Sequence, residues 1–552
     1  MDHGLPNRTP HCGRWVILFI NHKAMNKQGM YALVGVGVVV LALVFSNRGS
    51  LPFGSGLGRG ELFSRDVENL PMAVVSQPVE LKDGDAYDLT AGIVQNKING
   101  KAVKMLAYNG SIPGPLIKVT QGSRVTVHFK NETDVASSLH SHGVRLDNTF
   151  DGAPPVTQRE VKPGGTFTYE IKFPDAGLYW YHPHVREDYA QELGLYGNFL
   201  VMPQDADYWS PVNREVPLVL DDILLDSEGK IAAFDTQGAD HTLMGRFGNV
   251  MLVNGETDFK MEVGQGDVIR LYITNVANTR PFNIQIPGAK MKLVGGDGSK
   301  YEREEFVNNV LLGPSERAIV EVLFAKAGSF ALEHMAPQKT YTLGSIEVKS
   351  AQVLSSLTSV FNQLKTNSDV IASIDPLRSL FGKTPDKNLA FTLNMMGMGN
   401  MNMGGGHMMP NGGMMGGSGD PIEWEDDMAA MNRASTTQTI NWMIVDRDTQ
   451  KTNMKIDWKF KVGDKVKIRI VNDGTSMHPM QHPLHLHGQQ FLVLSRNGVP
   501  NDNLVWKDTV MVGAGEIVDI LVDMSNPGEW IAHCHIAEHL EDGMMFSYMV
   551  TP

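Results

Sequence analysis

The sequence predicts an all-β chain made of several copies of one sandwich or barrel unit, and two observations lead there. Short alternating runs such as Arg124-Val-Thr-Val-His-Phe129, Thr166-Phe-Thr-Tyr-Glu-Ile171 and Val268-Ile-Arg-Leu-Tyr-Ile273 are separated by Gly, Pro, Asn and Asp clusters, the punctuation of sandwiches and barrels. A loose repeat also recurs three times, as Val119-Thr-Gln-Gly-Ser-Arg-Val-Thr-Val, Val263-Gly-Gln-Gly-Asp-Val-Ile-Arg-Leu and Val462-Gly-Asp-Lys-Val-Lys-Ile. In each copy a glycine turn leads into an alternating strand, so three related β-domains are expected. A chain of 552 residues is in any case too long for a single core.

Taken in order, residues 1–47 differ from the rest. Lys23 and Lys27 precede an uninterrupted apolar run over 31–45, which a cleaved signal peptide or a retained membrane anchor would equally explain. Fifteen residues are short for a spanning helix, and the small residues Ala42 and Ser46 would suit a signal peptidase. Either way the body is expected to be exported, to the periplasm or the extracellular face. A Gly/Ser-rich tether, 48–65, leads to the first β-domain at 66–205, the second at 213–350, a linker with a short helix at 351–385, and the third at 386–552. Within the third lies an insertion, 395–415, with nine methionines in twenty-one residues, too rich in glycine for a packed core or a regular helix.

Charged residues make up 20% of the chain and the net charge is −13, which argues against a nucleic-acid partner, as nothing in the sequence resembles a basic face able to neutralise phosphates. The two cysteines, Cys12 and Cys534, build no disulfide framework if Cys534 is a metal ligand.

The chemistry concentrates in four clusters: His140-Ser-His142-Gly143, His182-Pro-His184, His482-Pro-Leu-His485-Leu-His487-Gly488 and His533-Cys-His535-Ile-Ala-Glu-His539, which hold ten of the eighteen histidines. Successive side chains on a strand face opposite ways, so His533 and His535 would share one face and Cys534 the other. One strand can thus serve two metal centres. Cys534, His539 and Met544 offer three of the four ligands of a blue-copper site, a thiolate with imidazole and a weak thioether, and one further histidine must come from elsewhere. Four His-x-His pairs meeting at a domain boundary supply eight nitrogens, a set suited to three coppers, with Cys534 covalently between two of the ligands.

In these four motifs, in their order, the sequence resembles the multicopper oxidases from about residue 66 to the C-terminus. The resemblance implies three cupredoxin-like Greek-key domains and four coppers per chain. Type 1 copper would be held by His482, Cys534, His539 and Met544. Type 2 would be held by His140 and His485, and the type 3 pair by His142, His182, His184, His487, His533 and His535. All these residues are present, so an active oxidase is expected, coupling one-electron oxidation of a donor to reduction of oxygen to water. An axial Met departs from high-potential laccases, which carry an apolar residue there, and implies a moderate potential. Asp151 and Glu538 match acids beside the oxygen site of bacterial relatives and would deliver protons.

The donor is less constrained. Thioethers favour Cu(I), and bacterial cuprous oxidases carry a Met-rich insertion at a similar place. Met480, with Met395, Met396, Met398, Met401 and Met403 of the insertion, would then hold substrate copper. His478 stands where those enzymes have an aspartate. The leading expectation is oxidation of Cu(I) to Cu(II) in copper detoxification. The alternatives are a laccase acting on phenols, with the insertion as a lid, and a copper-sequestering resistance protein without turnover.

Overall fold

Each copy of the glycine-turn repeat carries the chain from one sheet of a pair to the other. In the computed structural model, which describes residues 61–350, 356–395 and 420–552, the three turns join Ile117–Thr120 to Arg124–Asn131, Phe259–Gly264 to Val268–Asn275 and Trp458–Lys461 to Lys465–Asn472. In every case the two strands belong to different sheets. The turn glycines Gly122, Gly266 and Gly463 have φ of 89°, 89° and 99°, a region that a side chain disfavours. Their N–H groups donate to the carbonyls of Phe173, Phe324 and Met524 at 2.7, 2.7 and 2.8 Å. The repeat is therefore one corner of a sandwich, used three times.

The pairings agree with this. The strand after each corner runs parallel to an earlier one: Ala86–Ile98 beside Arg124–Asn131, Arg214–Ile223 beside Val268–Asn275, and Lys387–Met395 beside Lys465–Asn472. Parallel neighbours need crossovers between sheets rather than hairpins, and the result is three cupredoxin-like sandwiches. Their cores are built from inward residues of both sheets, among them Val127 and Phe199 in the first, Leu271 and Ile346 in the second, and Ile468 and Phe546 in the third.

Alternation fails in one informative place. All eight residues of Val268–Asn275 are buried: on the outward face Tyr272 packs with Leu178 and Leu200 of the first sandwich, Arg270 pairs with Glu215 and Glu321, and Val268 packs with Phe361. The linker 351–385 carries two short α-helices among its described residues. Gln352–Leu364 holds only the short helix Thr358–Phe361 among its described residues, and Ser368–Ile374 is longer. Val370 and Ile374 of that helix bury in one cluster with Leu492 and Leu521 of the third sandwich.

The apolar run 31–45, most of the tether, and Met396, Met398, Met401 and Met403 lie outside the described residues. Among the described residues, no helix is long and apolar enough to cross a membrane.

Candidate metal centres

Strand Gly528–Cys534 pairs antiparallel with His482–Leu486, setting Leu484 opposite Cys534 and His485 opposite His533. Alternation then sends neighbouring side chains to opposite sides. Cys534 Sγ lies 3.5 Å from His482 Nδ1 and 3.8 Å from His539 Nδ1, and those two nitrogens are 3.3 Å apart. The three groups form a buried set able to hold one metal ion. Met544 is fully buried beside it: its carbonyl accepts from Cys534 N–H at 3.1 Å and its N–H donates to the His539 carbonyl at 3.0 Å. The Trp442 ring covers His482 and His539 at 4.7 and 4.5 Å, and Ile536 N–H donates to the sulfur at 3.5 Å. Burial pushes the Cys534 thiol up, so a metal is needed to hold it as thiolate at neutral pH.

On the other side the eight remaining histidines of the four clusters converge, all buried. Strand His140–His142 pairs with Gly177–His182, placing His140 opposite His182. The rings fall into groups His140/His142/His485, His142/His182/His535 and His184/His487/His533. His533 and His535 thus join different groups, and His535 lies just beyond the end of its strand. Several rings have one nitrogen tied to an acceptor: His140 Nδ1 donates to the Asp151 carbonyl at 2.7 Å, His182 Nδ1 to Pro183 at 2.8 Å, His485 Nδ1 to Asp508 at 2.9 Å and His533 Nδ1 to Cys534 at 2.9 Å. Nε2 of His140, His182, His184 and His485, and Nδ1 of His142, are buried without a partner.

Orphaned ring nitrogens pointing at one another are costly unless a ligand satisfies them, and tying the opposite nitrogen is how a metal-binding histidine is oriented. Burial, reinforced by mutual repulsion, holds His142, His182, His184, His485 and His533 well below the usual imidazole range and His487 at about 4. All are therefore neutral, as metal binding requires. Thiolate plus imidazole in one set and imidazoles alone in the other suit copper.

Asp151 is buried with Oδ2 2.8 Å from His487 Nδ1. Burial would raise its carboxyl, but His487 and His140 beside it outweigh that and hold it well below the usual range. Glu538 is also buried; Asn278 Nδ2 donates to it at 3.1 Å, and burial, opposed by Arg246, pushes it up to about 7. Met480 is fully buried two residues before His482, with its carbonyl held by Asn472 Nδ2 at 2.6 Å. His478 is buried and neither ring nitrogen has a partner. Met395 ends the strand Lys387–Met395, whose Phe391 ring lies 5.4 Å from His482.

Three groups at these sites carry no sequence signal. Asp508 and Thr509 sit against His142 and His485, and Glu423, just after the insertion, bonds through its backbone to both ends of the Gln481 amide at 2.7 and 3.2 Å. Each is an isolated polar residue in a loop or at a strand start, brought in only by tertiary pairing.

Three sandwiches carrying a buried thiolate–imidazole set next to eight converging imidazoles define an oxidase of the blue-copper class. Models of the multicopper oxidase family match residues 91–206, 214–362 and 425–552. Multicopper oxidase mco of Staphylococcus aureus is 28% identical, covering 82% of this chain and 85% of that protein. Copper resistance protein A of Escherichia coli is 24% identical over 88% of this chain and 95% of its own. The structure of the Campylobacter jejuni multicopper oxidase, titled a metallo-oxidase, superposes with a TM-score of 0.64 at 25% identity, over 88% of this chain and 98% of that one. The chain belongs to the multicopper oxidases, copper enzymes that use oxygen as electron acceptor.

Proposed function

We propose that this oxidase takes its electrons from Cu(I), with His482, Cys534, His539 and Met544 holding type 1 copper, His140 and His485 type 2, and His142, His182, His184, His487, His533 and His535 the type 3 pair. Copper held by these residues would supply one-electron acceptance at the thiolate set and the four electrons that, with four protons, reduce dioxygen to two waters. The chain's part is to orient, connect and protonate. Cys534 is bonded through the backbone to His533 and His535, giving the electron a short covalent route. Glu538, pushed up to about 7, would hold a proton for transfer to oxygen, and Asp151, ionised beside His487 and His140, would accept and relay protons.

The observation that carries the Cu(I) reading is His478, buried four residues before His482 with both ring nitrogens unsatisfied, with the buried thioether of Met480 between them in sequence. A thioether favours Cu(I) and imidazole suits copper, and the methionine-rich stretch departs from Met395 on a strand that touches His482. The names of the Escherichia coli and Campylobacter jejuni relatives support the same donor. The apolar run 31–45 supports export, with or without retention at the membrane.

Oxygen uptake by the copper-loaded protein tests the reading, comparing Cu(I) with phenols, with and without 395–415. Loss of Cu(I) oxidation on deletion supports recruitment of copper by the insertion. A gain of phenol oxidation alone would make the insertion a cover and the enzyme a laccase.

A further inference from the structure

The middle sandwich gives no histidine to the metal-binding groups, yet it reaches them through one side chain. Arg317 opens strand Arg317–Leu323 and is fully buried. Its guanidinium clamps Asp508 twice, Nη1 to Oδ1 at 2.7 Å and Nη2 to Oδ2 at 2.5 Å. Its Nε donates to the Leu178 carbonyl of the first sandwich at 3.1 Å and Nη1 also to the Ser315 carbonyl at 3.0 Å. Asp508 belongs to the third sandwich, so the one guanidinium ties all three together.

Asp508 passes that constraint to two histidines. His142 Nε2 donates to Asp508 Oδ1 at 3.1 Å and lies 3.0 Å from Thr509 Oγ1, which itself donates to Asp508 Oδ1 at 2.9 Å. The Asp508 carbonyl accepts from His485 Nδ1, and the rings of His142 and His485 stack at 3.7 Å. His142 is thereby turned the opposite way to its neighbours. It leaves Nδ1 unpartnered where His140, His182, His184 and His485 leave Nε2. The residue after it makes room for the clamp: Gly143 has φ +82°, and a Cβ there would lie 2.3 Å from Asp508 Oδ2 and 2.9 Å from Arg317 Nη2.

We propose that Arg317 is a positioning residue for oxygen reduction: by fixing Asp508 bidentately it ties His142 through Nε2 and turns Nδ1 to the copper. This rests on His142 and His485 being copper ligands. A planar fork does this and an ammonium does not, because only the fork sets the plane of the carboxylate. Arg317 also stands 3.7 Å from the buried Asp297, so deleting the charge outright would endanger folding. Arg317→Lys keeps the charge and loses the plane.

The experiment loads Arg317→Lys, Gly143→Ala and His142→Ala with copper and measures copper retained against a chelator, the near-ultraviolet absorption of the type 3 pair, the blue absorption, and kcat and KM for oxygen uptake. Arg317→Lys should keep the blue absorption and the donor KM. It should change the near-ultraviolet band and lower copper affinity at the histidine site and kcat by about 10–100-fold. Gly143→Ala, which displaces Asp508 without altering a charge, should change the same band. If both leave band and affinity as in the parent while His142→Ala loses copper, the proposal alone falls. If His142→Ala keeps the full complement of copper, the ligand assignment falls and the proposal with it.

Discussion

Asp151 holds a histidine from each end of the chain: its Oδ2 lies 2.8 Å from His487 Nδ1, and its carbonyl accepts from His140 Nδ1 at 2.7 Å. In Asp151→Asn the backbone bond to His140 is unchanged and the amide oxygen can still accept from His487, so the rings keep their orientation while the ionisable group is lost. Oxygen uptake should fall by about 100-fold or more with the blue absorption and copper content as in the parent. Loss of copper in this variant would make Asp151 a structural support and remove its proton role.

Met544 reaches the thiolate set by a tight return of the chain, bonded at its backbone to both Cys534 and His539. Met544→Leu conserves volume, so a stability cost below about 1.5 kcal/mol is expected. Removing a weak axial thioether should raise the reduction potential, read by redox titration of the blue absorption. An unchanged or lower potential would take Met544 out of the axial position.

Much of this was legible in the sequence, for a physical reason. His-x-His and His-Cys-His on strands fix which side chains share a face, so the division between Cys534 and its two neighbours follows from alternation alone, and the glycine corners at Gly122, Gly266 and Gly463 declare the threefold repeat. What alternation cannot supply is the partner across a domain boundary. Arg317, Asp508 and Glu423 are ordinary charged residues in ordinary strands and loops; separate sandwiches bring Arg317 to Asp508 and Asp508 to His142, and a contact distant in sequence but within the third domain brings Glu423 to Gln481. Glu538 is expected from the resemblance alone to deliver protons, and its bond to Asn278 of the middle sandwich is again a partner that alternation does not supply.

Glu423 gives a pH signature that does not involve a copper ligand. Burial, with Asp427 and Asp420 nearby, pushes its carboxyl up to about 7 from a usual 4.5. The folded protein then binds this proton more tightly than the unfolded chain does. Stability from this group is fully present below pH 4.5, falls as pH rises through 4.5 to 7, and stays reduced above that. Glu423→Gln removes the effect. Chemical unfolding should show the variant equal to the parent at pH 4 and more stable at pH 8, by about 1–3 kcal/mol after allowing for partial exposure. Equal stability at both pH values would mean that Glu423 ionises normally in the fold.

Copper should also be part of what holds the sandwiches together. The histidine site draws on the first and third sandwiches at once, His140, His142, His182 and His184 from one and His485, His487, His533 and His535 from the other. Ring nitrogens of His140, His142, His182, His184, His485 and His535 are buried there without a protein partner. A ligand that binds only the folded state stabilises it by about 4 kcal/mol when free copper is a thousand times the dissociation constant. Calorimetry of copper-loaded and chelator-stripped protein should therefore show a higher unfolding temperature for the loaded form, rising with free copper. His142→Ala should lose most of that increment while Met544→Leu keeps it, because only the histidine bridges two sandwiches. An unfolding temperature independent of copper would mean that the first and third sandwiches are joined by their protein contacts alone.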